Sequence, residues 1–244
     1  MNDVVLITGS AGGIGSACVR RFAIEGYRIA AAYNRSQTEA EKLVAELTDK
    51  GVDIVAFKAD LRSYKDTERL YNEIIDRFGR VDVLVNNAAI SQIKIFCDIT
   101  EYDWDNMVSS NMKSVFNCCK HFLPQMISRK SGRIINISSM WGQQGASCEV
   151  HYSASKAAVI GFTKALAKEL GLSGITVNCV APGVIDTAMN MELNEEDRAL
   201  LCEEIPLNRF GNAFEVAESV LFLASPNASY ITGQVIGIDS GMMI

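Results

Sequence analysis

The chain contains only two histidines in 244 residues, His121 and His151. A zinc site built on several imidazoles is therefore excluded, and a Ser-His-Asp triad would have to use one of these two. The seven cysteines include no C-x-x-C pair. An odd number cannot pair completely within one chain. They read as free thiols buried as small apolar groups, which fits a reducing compartment, so a cytoplasmic location is expected.

Positive charge is also short. The 23 Lys and Arg residues face 29 Asp and Glu, leaving a formal charge of −6. Such a balance leaves no phosphate-backbone footprint, and no nucleic-acid partner is expected. No apolar run reaches the roughly 18 residues of a membrane span, so no membrane partner is expected. Met1-Asn2-Asp3 leads into a strand without a charged-then-apolar leader, so no signal peptide is expected either.

What is present is ordinary globular material, 48% apolar and 21% charged, with no segment polar enough to resist folding. Short β-branched runs at 4–8, 28–33, 54–58, 81–86, 133–138, 176–181 and 234–238 read as strands. Helical patterns fall at 14–26, 37–50, 64–78, 102–129, 152–170 and 215–224. Strands alternating with helices of this length imply right-handed crossovers and a parallel sheet covered on both faces. Runs as apolar as VVLIT and GRIINI suit that double burial. The expected fold is a single α/β domain over 1–244, a Rossmann-type doubly wound parallel sheet with helices on both faces. The acidic, Met-rich stretch 183–208 breaks the rhythm beyond a strand's C-terminal end, where open α/β sheets bind ligands. A short helical pair forming a substrate lid is expected there.

Thr8-Gly9-Ser10-Ala11-Gly12-Gly13-Ile14-Gly15 joins the first strand to the first helix. Glycines let a backbone approach a pyrophosphate closely, and a helix N-terminus offers it unpaired N–H groups and a positive dipole end. Gly9, Ser10, Gly13, Ile14 and Gly15 are thus candidate dinucleotide contacts. At the end of the second strand, where a carboxylate normally takes a ribose 2′-hydroxyl, the sequence reads Asn34-Arg35-Ser36. Arg35 and Ser36, with Asn34, can receive a 2′-phosphate through charge-assisted hydrogen bonds. NADP(H) is expected, with NAD(H) as the alternative.

Tyr152 and Lys156 stand four apart at the start of a helix, on one face. A phenol near pKa 10 needs about 4 kcal/mol of phenolate stabilisation to titrate near 7, which Lys156 and an oxidised nicotinamide can supply jointly. In the reducing direction the same phenol donates its proton to a developing alkoxide. Ser139, at the end of the fifth strand, can hold the substrate carbonyl. His151, beside Tyr152, reads as incidental.

With these motifs the sequence resembles the short-chain dehydrogenase/reductase family along essentially its whole length. Asn86-Asn87-Ala88-Ala89 stands where the family has N-N-A-G, and Asn111 matches the family's catalytic Asn, which supports a water chain toward the active-site Lys. Asp60 matches the adenine-contacting acid, and Pro182-Gly183-Val184-Ile185-Asp186-Thr187 the nicotinamide-side segment. The resemblance implies catalytic roles for Asn111, Ser139, Tyr152 and Lys156. It implies cofactor contacts at Asp60, Leu61, Asn87, Ala88, Pro182, Gly183, Ile185 and Thr187, besides Tyr152 and Lys156. Gly12 stands where many NADPH-using members carry Arg or Lys.

Within the family the sequence resembles bacterial 3-oxoacyl-[acyl-carrier-protein] reductases, down to the ending Tyr230-Ile231-Thr232-Gly233 and Asp239-Ser240-Gly241-Met242. That likeness implies NADPH-dependent reduction of a ketone to an alcohol in fatty acid biosynthesis, on a substrate borne by acyl carrier protein. It also implies a homotetramer built through two long helices and the C-terminal edge. Arg129 and Lys130 would serve carrier docking, while Ser173 stands where a further basic residue is expected. The stretch 141–150 resembles instead paralogues that reduce the 5-aminopentanone modification of elongation factor P, in which Glu149 would meet an amine. A small-ketone dehydrogenase and a non-catalytic dinucleotide sensor are the remaining alternatives; the sensor would not need the Tyr152–Lys156 pair.

Overall fold

The computed structural model describes residues 3–187 and 194–243. Its frame is a seven-stranded sheet: β1 (Val4–Thr8), β2 (Arg28–Tyr33), β3 (Ile54–Lys58), β4 (Val83–Asn86), β5 (Gly132–Ile137), β6 (Ile175–Pro182) and β7 (Val235–Ile238). The strands lie in the order β3-β2-β1-β4-β5-β6-β7, and every neighbouring pair is parallel. The chain winds outward one way from β1 and the other way from β4. The direction therefore reverses between these two strands, which opens a crevice at their C-terminal ends.

Helices cover both faces: α1 (Gly13–Ile24), α2 (Gln37–Thr48), α3 (Tyr64–Phe78), α4 (Glu101–Val108), α5 (Ser114–Arg129), α6 (Trp141–Gln144), α7 (Val150–Leu170), α8 (Glu195–Glu204) and α9 (Ala213–Ala224). The period-two geometry of β1 explains how one strand serves two cores. Val5 and Ile7 face a cluster with Val19 and Phe22 of α1 and Val216 and Val220 of α9. Val4 and Leu6 face the other, with Leu70 and Ile74 of α3, Phe122 and Met126 of α5, and Val159 of α7. Burying both faces is why the strands carry apolar residues almost without interruption.

Local chemistry sets the element ends. Ser63 caps α3 by accepting from the Asp66 N–H, and Gly79 ends that helix at φ +80, a left-handed position suited to glycine. Thr100 and Asp103 form a reciprocal capping box at the start of α4.

Several departures from expectation lie near the cleft or set its edges. The helix expected over 102–129 is split by a π-helical turn, Ser109–Lys113, between α4 and α5. Such single turns occur inside otherwise continuous α-helices and no residue type marks them in a sequence. The fifth strand runs Gly132–Ile137, one residue earlier than read. Of the lid expected over 183–208, residues 188–193 lie outside the described residues, and the described remainder carries one helix, α8.

Candidate active site

The turn between β1 and α1 is built on contacts that leave no room for side chains. Gly9 adopts φ +63, and a Cβ there would come 2.9 Å from Ala88 Cα. A Cβ on Gly15 would lie 2.1 Å from the Gly9 carbonyl oxygen, and one on Gly13 would lie 2.5 Å from Thr187 Cγ2. The Asn87 side chain locks the turn by donating to the carbonyls of Thr8 (2.9 Å) and Gly9 (3.1 Å). No side chain caps the start of α1 at Gly12, so its first-turn N–H groups remain available to an anion. Ser10, another expected cofactor contact, sits deeper in the turn. It is fully buried, and both its N–H and its hydroxyl donate to the Ala32 carbonyl, at 3.1 and 3.0 Å. Its donors tie the turn to β2.

From this turn a cleft of about 720 Å³ runs along the C-terminal edge of the sheet. Gly9, Gly13, Ile14 and Gly15 form its floor. Asn34, Arg35, Ser36, Asp60 and Leu61 close one end, and Asn87, Ala88, Ser139, Tyr152 and Lys156 the other. Pro182, Gly183, Ile185 and Thr187 make the facing wall. Among the site residues expected from the sequence, only Ser10 and Asn111 do not line it. Arg62, Asn106, Ser110 and Ser114 also line it and went unnoticed. Arg62 could have been found, as a cation two residues beyond Asp60.

At the far end, Ser139, Tyr152 and Lys156 converge although each is almost wholly buried. Ser139 follows β5 and receives the Trp141 N–H at 3.2 Å, and its hydroxyl is near enough to the Tyr152 phenol to oppose the rise of its pKa. Lys156 Nζ donates to the Ile137 carbonyl at 2.9 Å and lies 5.7 Å from the centre of the Tyr152 ring. Ser138 fastens α7 to the strand end by donating to the Lys156 carbonyl at 2.9 Å.

Burial dominates both titrations. It pushes the Tyr152 phenol up to about 12, against the opposing Ser139 hydrogen bond and with help from the nearby Glu149 charge. It brings the Lys156 ammonium down to about 8. A phenol titrating near 7 is therefore not something these side chains produce by themselves. They hold Tyr152 neutral, in the state that donates a proton.

Asn111 acts one step back from the cleft. It sits in the π-helical turn, 1% exposed. Its Oδ1 accepts from the Ile90 N–H at 2.8 Å, and its Nδ2 donates to the Ile90 carbonyl at 2.9 Å and to Ser155 Oγ at 3.0 Å. The carboxamide thus fixes the main chain after β4, whose Ile90 and Ser91 line the cleft. His151 is not incidental. It is fully buried, its Nε2 pairs with Gln92 Oε1 at 2.9 Å, and burial lowers its pKa and keeps it neutral. Gln92 in turn donates to Asp103, and the Lys94 N–H donates to the Cys148 carbonyl at 2.7 Å. The segment following β4 is pinned to both α4 and α7.

Arg129 departs from its expected role. It ends α5, which runs back to the N-terminal edge of the sheet, opposite the cleft. There its guanidinium donates to Asp82 and to the Val81 carbonyl, both at 2.6 Å. It braces β4 and does not flank this chain's own cleft.

An elongated cleft lined by Gly9, Gly13 and Gly15, where a Cβ would clash with the turn's own neighbours, an open helix N-terminus and an arginine at one end fit a nicotinamide dinucleotide. The comparisons agree. Residues 3–198 match the family described as short chain dehydrogenase. The chain belongs to that family. It is accordingly an NAD(P)-dependent oxidoreductase of the ketone–alcohol couple.

Relatives of this short-chain dehydrogenase match it end to end. It is 42% identical over 242 residues to a 3-oxoacyl-[acyl-carrier-protein] reductase of Staphylococcus epidermidis, covering 99% of both chains. A Thermotoga maritima protein of the same description is 42% identical over 241 residues, covering 99% of this chain and 98% of that one. Among solved structures, a variant of actinorhodin polyketide ketoreductase with NADPH superposes with a TM-score of 0.94 at 35% identity, over 99% of this chain and 97% of that one.

Proposed function

We propose that this short-chain dehydrogenase is a cytoplasmic 3-oxoacyl-[acyl-carrier-protein] reductase that uses NADPH. The observation that carries the reading is the full-length match to relatives of that description, joined to a buried Ser139–Tyr152–Lys156 group at the end of the cleft.

NADPH would lie along the glycine floor, its pyrophosphate at the start of α1 and its 2′-phosphate by Arg35 and Ser36. When bound, it supplies the hydride that the substrate carbonyl carbon accepts. Ser139 donates a hydrogen bond to the carbonyl oxygen and orients it. Tyr152, kept protonated by burial, passes its proton to that oxygen as negative charge develops. Lys156 then stabilises the phenolate; with its pKa at about 8 it is mostly charged at neutral pH. Preorganised donors of this kind cost no reorganisation during the reaction, which is where their rate advantage arises. We further propose a homotetramer, as the resemblance implies.

A second reading has one observation in its favour. Glu149, next to the first turn of α7, is half-buried with its pKa raised by burial, and it has no ion-pair partner among the described residues. An unpaired carboxylate beside Tyr152 suits a ketone that carries an amine, such as the 5-aminopentanone group on elongation factor P.

The deciding experiment follows NADPH and NADH oxidation with acetoacetyl-CoA standing in for the carrier thioester. Rapid turnover with NADPH supports the proposal. Cofactor binding without thioester turnover, together with turnover of an amino-ketone, favours the second reading.

A further inference from the structure

The loops that leave β2 and β3 emerge side by side. Tyr33 pairs with Lys58 in register, and the Ala59 N–H donates to the Tyr33 carbonyl at 2.8 Å. They bring Arg35, Asp60 and Arg62 to one end of the cleft. In a doubly wound sheet the end of β2 is where the adenine ribose is read. A bare carboxylate here would repel a 2′-phosphate, which carries about two negative charges near neutral pH.

Asp60 is not bare. Arg62 Nε donates to its Oδ1 at 2.9 Å and its Oδ2 at 3.2 Å, Arg62 Nη2 donates to its Oδ2 at 2.7 Å, and the Arg62 main-chain N–H adds a bond to Oδ1 at 3.1 Å. Arg62 Nη1 is held in turn by Asn106 Oδ1 at 3.1 Å, which fixes the guanidinium plane. The pair is only partly exposed, with side-chain accessibilities of 36% and 34%. The Arg62 hydrogen bonds hold the Asp60 carboxyl below the usual range, and Arg35 adds to the effect from nearby. Arg35 has no ion-pair partner among the described residues, so its charge is available to a ligand.

We propose that Arg62 is a specificity-determining residue: by neutralising Asp60 it allows Arg35 and Ser36 to hold the 2′-phosphate that distinguishes NADPH from NADH. The proposal rests on the NADPH reading above. Asp60, in this arrangement, is a charge that the chain has cancelled.

The test compares dissociation constants for NADPH and NADH, by cofactor fluorescence, in the wild type and three variants. Taking the ratio within each variant removes any uniform loss from imperfect folding. Arg62→Gln exposes the Asp60 charge and should lower the NADPH preference by about tenfold or more. Asp60→Asn, which leaves Arg62 unneutralised, should raise it above wild type. The double variant Asp60→Asn/Arg62→Gln removes both charges and should return the preference to within about threefold of wild type. An unchanged ratio in Arg62→Gln, or a double variant as impaired as Arg62→Gln, would overturn the proposal; the second outcome would put Arg62 on the phosphate itself. A wild type that prefers NADH would overturn the NADPH reading instead, and the role of Arg62 would still be judged by the change in ratio.

Discussion

Lys156 Nζ sits 5.7 Å from the centre of the Tyr152 ring, and its hydrogen bond runs to the Ile137 carbonyl at 2.9 Å. The ammonium is therefore tethered to the end of β5, close enough to the phenol to act on it through space. Burial draws the two groups in opposite directions, Tyr152 up to about 12 and Lys156 down to about 8. Around neutral pH the phenol is protonated and the amine mostly charged, the state needed to reduce a carbonyl.

The Lys156 shift has a consequence for stability. A base whose folded pKa lies below its unfolded value penalises the fold wherever it must carry charge. The penalty is complete below about pH 8 and is relieved as pH rises toward 10.5, because the unfolded chain binds more protons in that window. Relative to Lys156→Met, the wild type should gain stability between pH 8 and 10, by up to on the order of 3 kcal/mol. Denaturant titrations of both proteins across that range check it. A difference that does not change with pH would show that the buried amine carries no such penalty.

Neighbouring glycines make a controlled pair. Alanine at Gly15 would put its Cβ 2.1 Å from the Gly9 carbonyl, whereas alanine at Gly12 meets nothing closer than that same oxygen at 3.4 Å. Gly15→Ala should distort the turn at a cost of about 1–3 kcal/mol and weaken NADPH binding by roughly tenfold or more. Gly12→Ala should bind within about threefold of wild type. Equal affinities in the two variants would mean that the cofactor does not rest on this turn.

Asn111 should matter through Ile90. Asn111→Leu leaves the Ile90 N–H and carbonyl without the partners they have at 2.8 and 2.9 Å, at about 1–3 kcal/mol for each buried group. A lowered Tm, with kcat/KM for acetoacetyl-CoA reduced at least about tenfold, is expected. A folded Asn111→Leu protein with wild-type kinetics would remove Asn111 from the account.

The sheet could be read from the sequence because burial on both faces writes itself as nearly continuous apolar runs, as in VVLIT of β1. The glycine turn and the Tyr152–Lys156 pair were equally legible, since each depends on short spacing within a single element. What escaped is long-range or local polar detail. Ser10 lies inside a glycine-rich motif, yet its hydroxyl turns inward to Ala32. His151 gains its partner from Gln92, 59 residues away, a contact no spacing rule reveals. Arg129 lies at the opposite edge of the sheet because α5 runs back past β4, a placement that likeness to a family does not reveal. Asp60 and Arg62 are neighbours in sequence, but only the fold shows that the second cancels the first.

The most direct test of the catalytic account replaces Tyr152 by Phe and measures NADPH binding and acetoacetyl-CoA reduction on the same preparation. The account expects NADPH affinity within about threefold of wild type and kcat lower by roughly a thousandfold, about 4 kcal/mol of lost transition-state stabilisation. Turnover close to wild type in Tyr152→Phe would contradict it, because the proton would then have to come from another group.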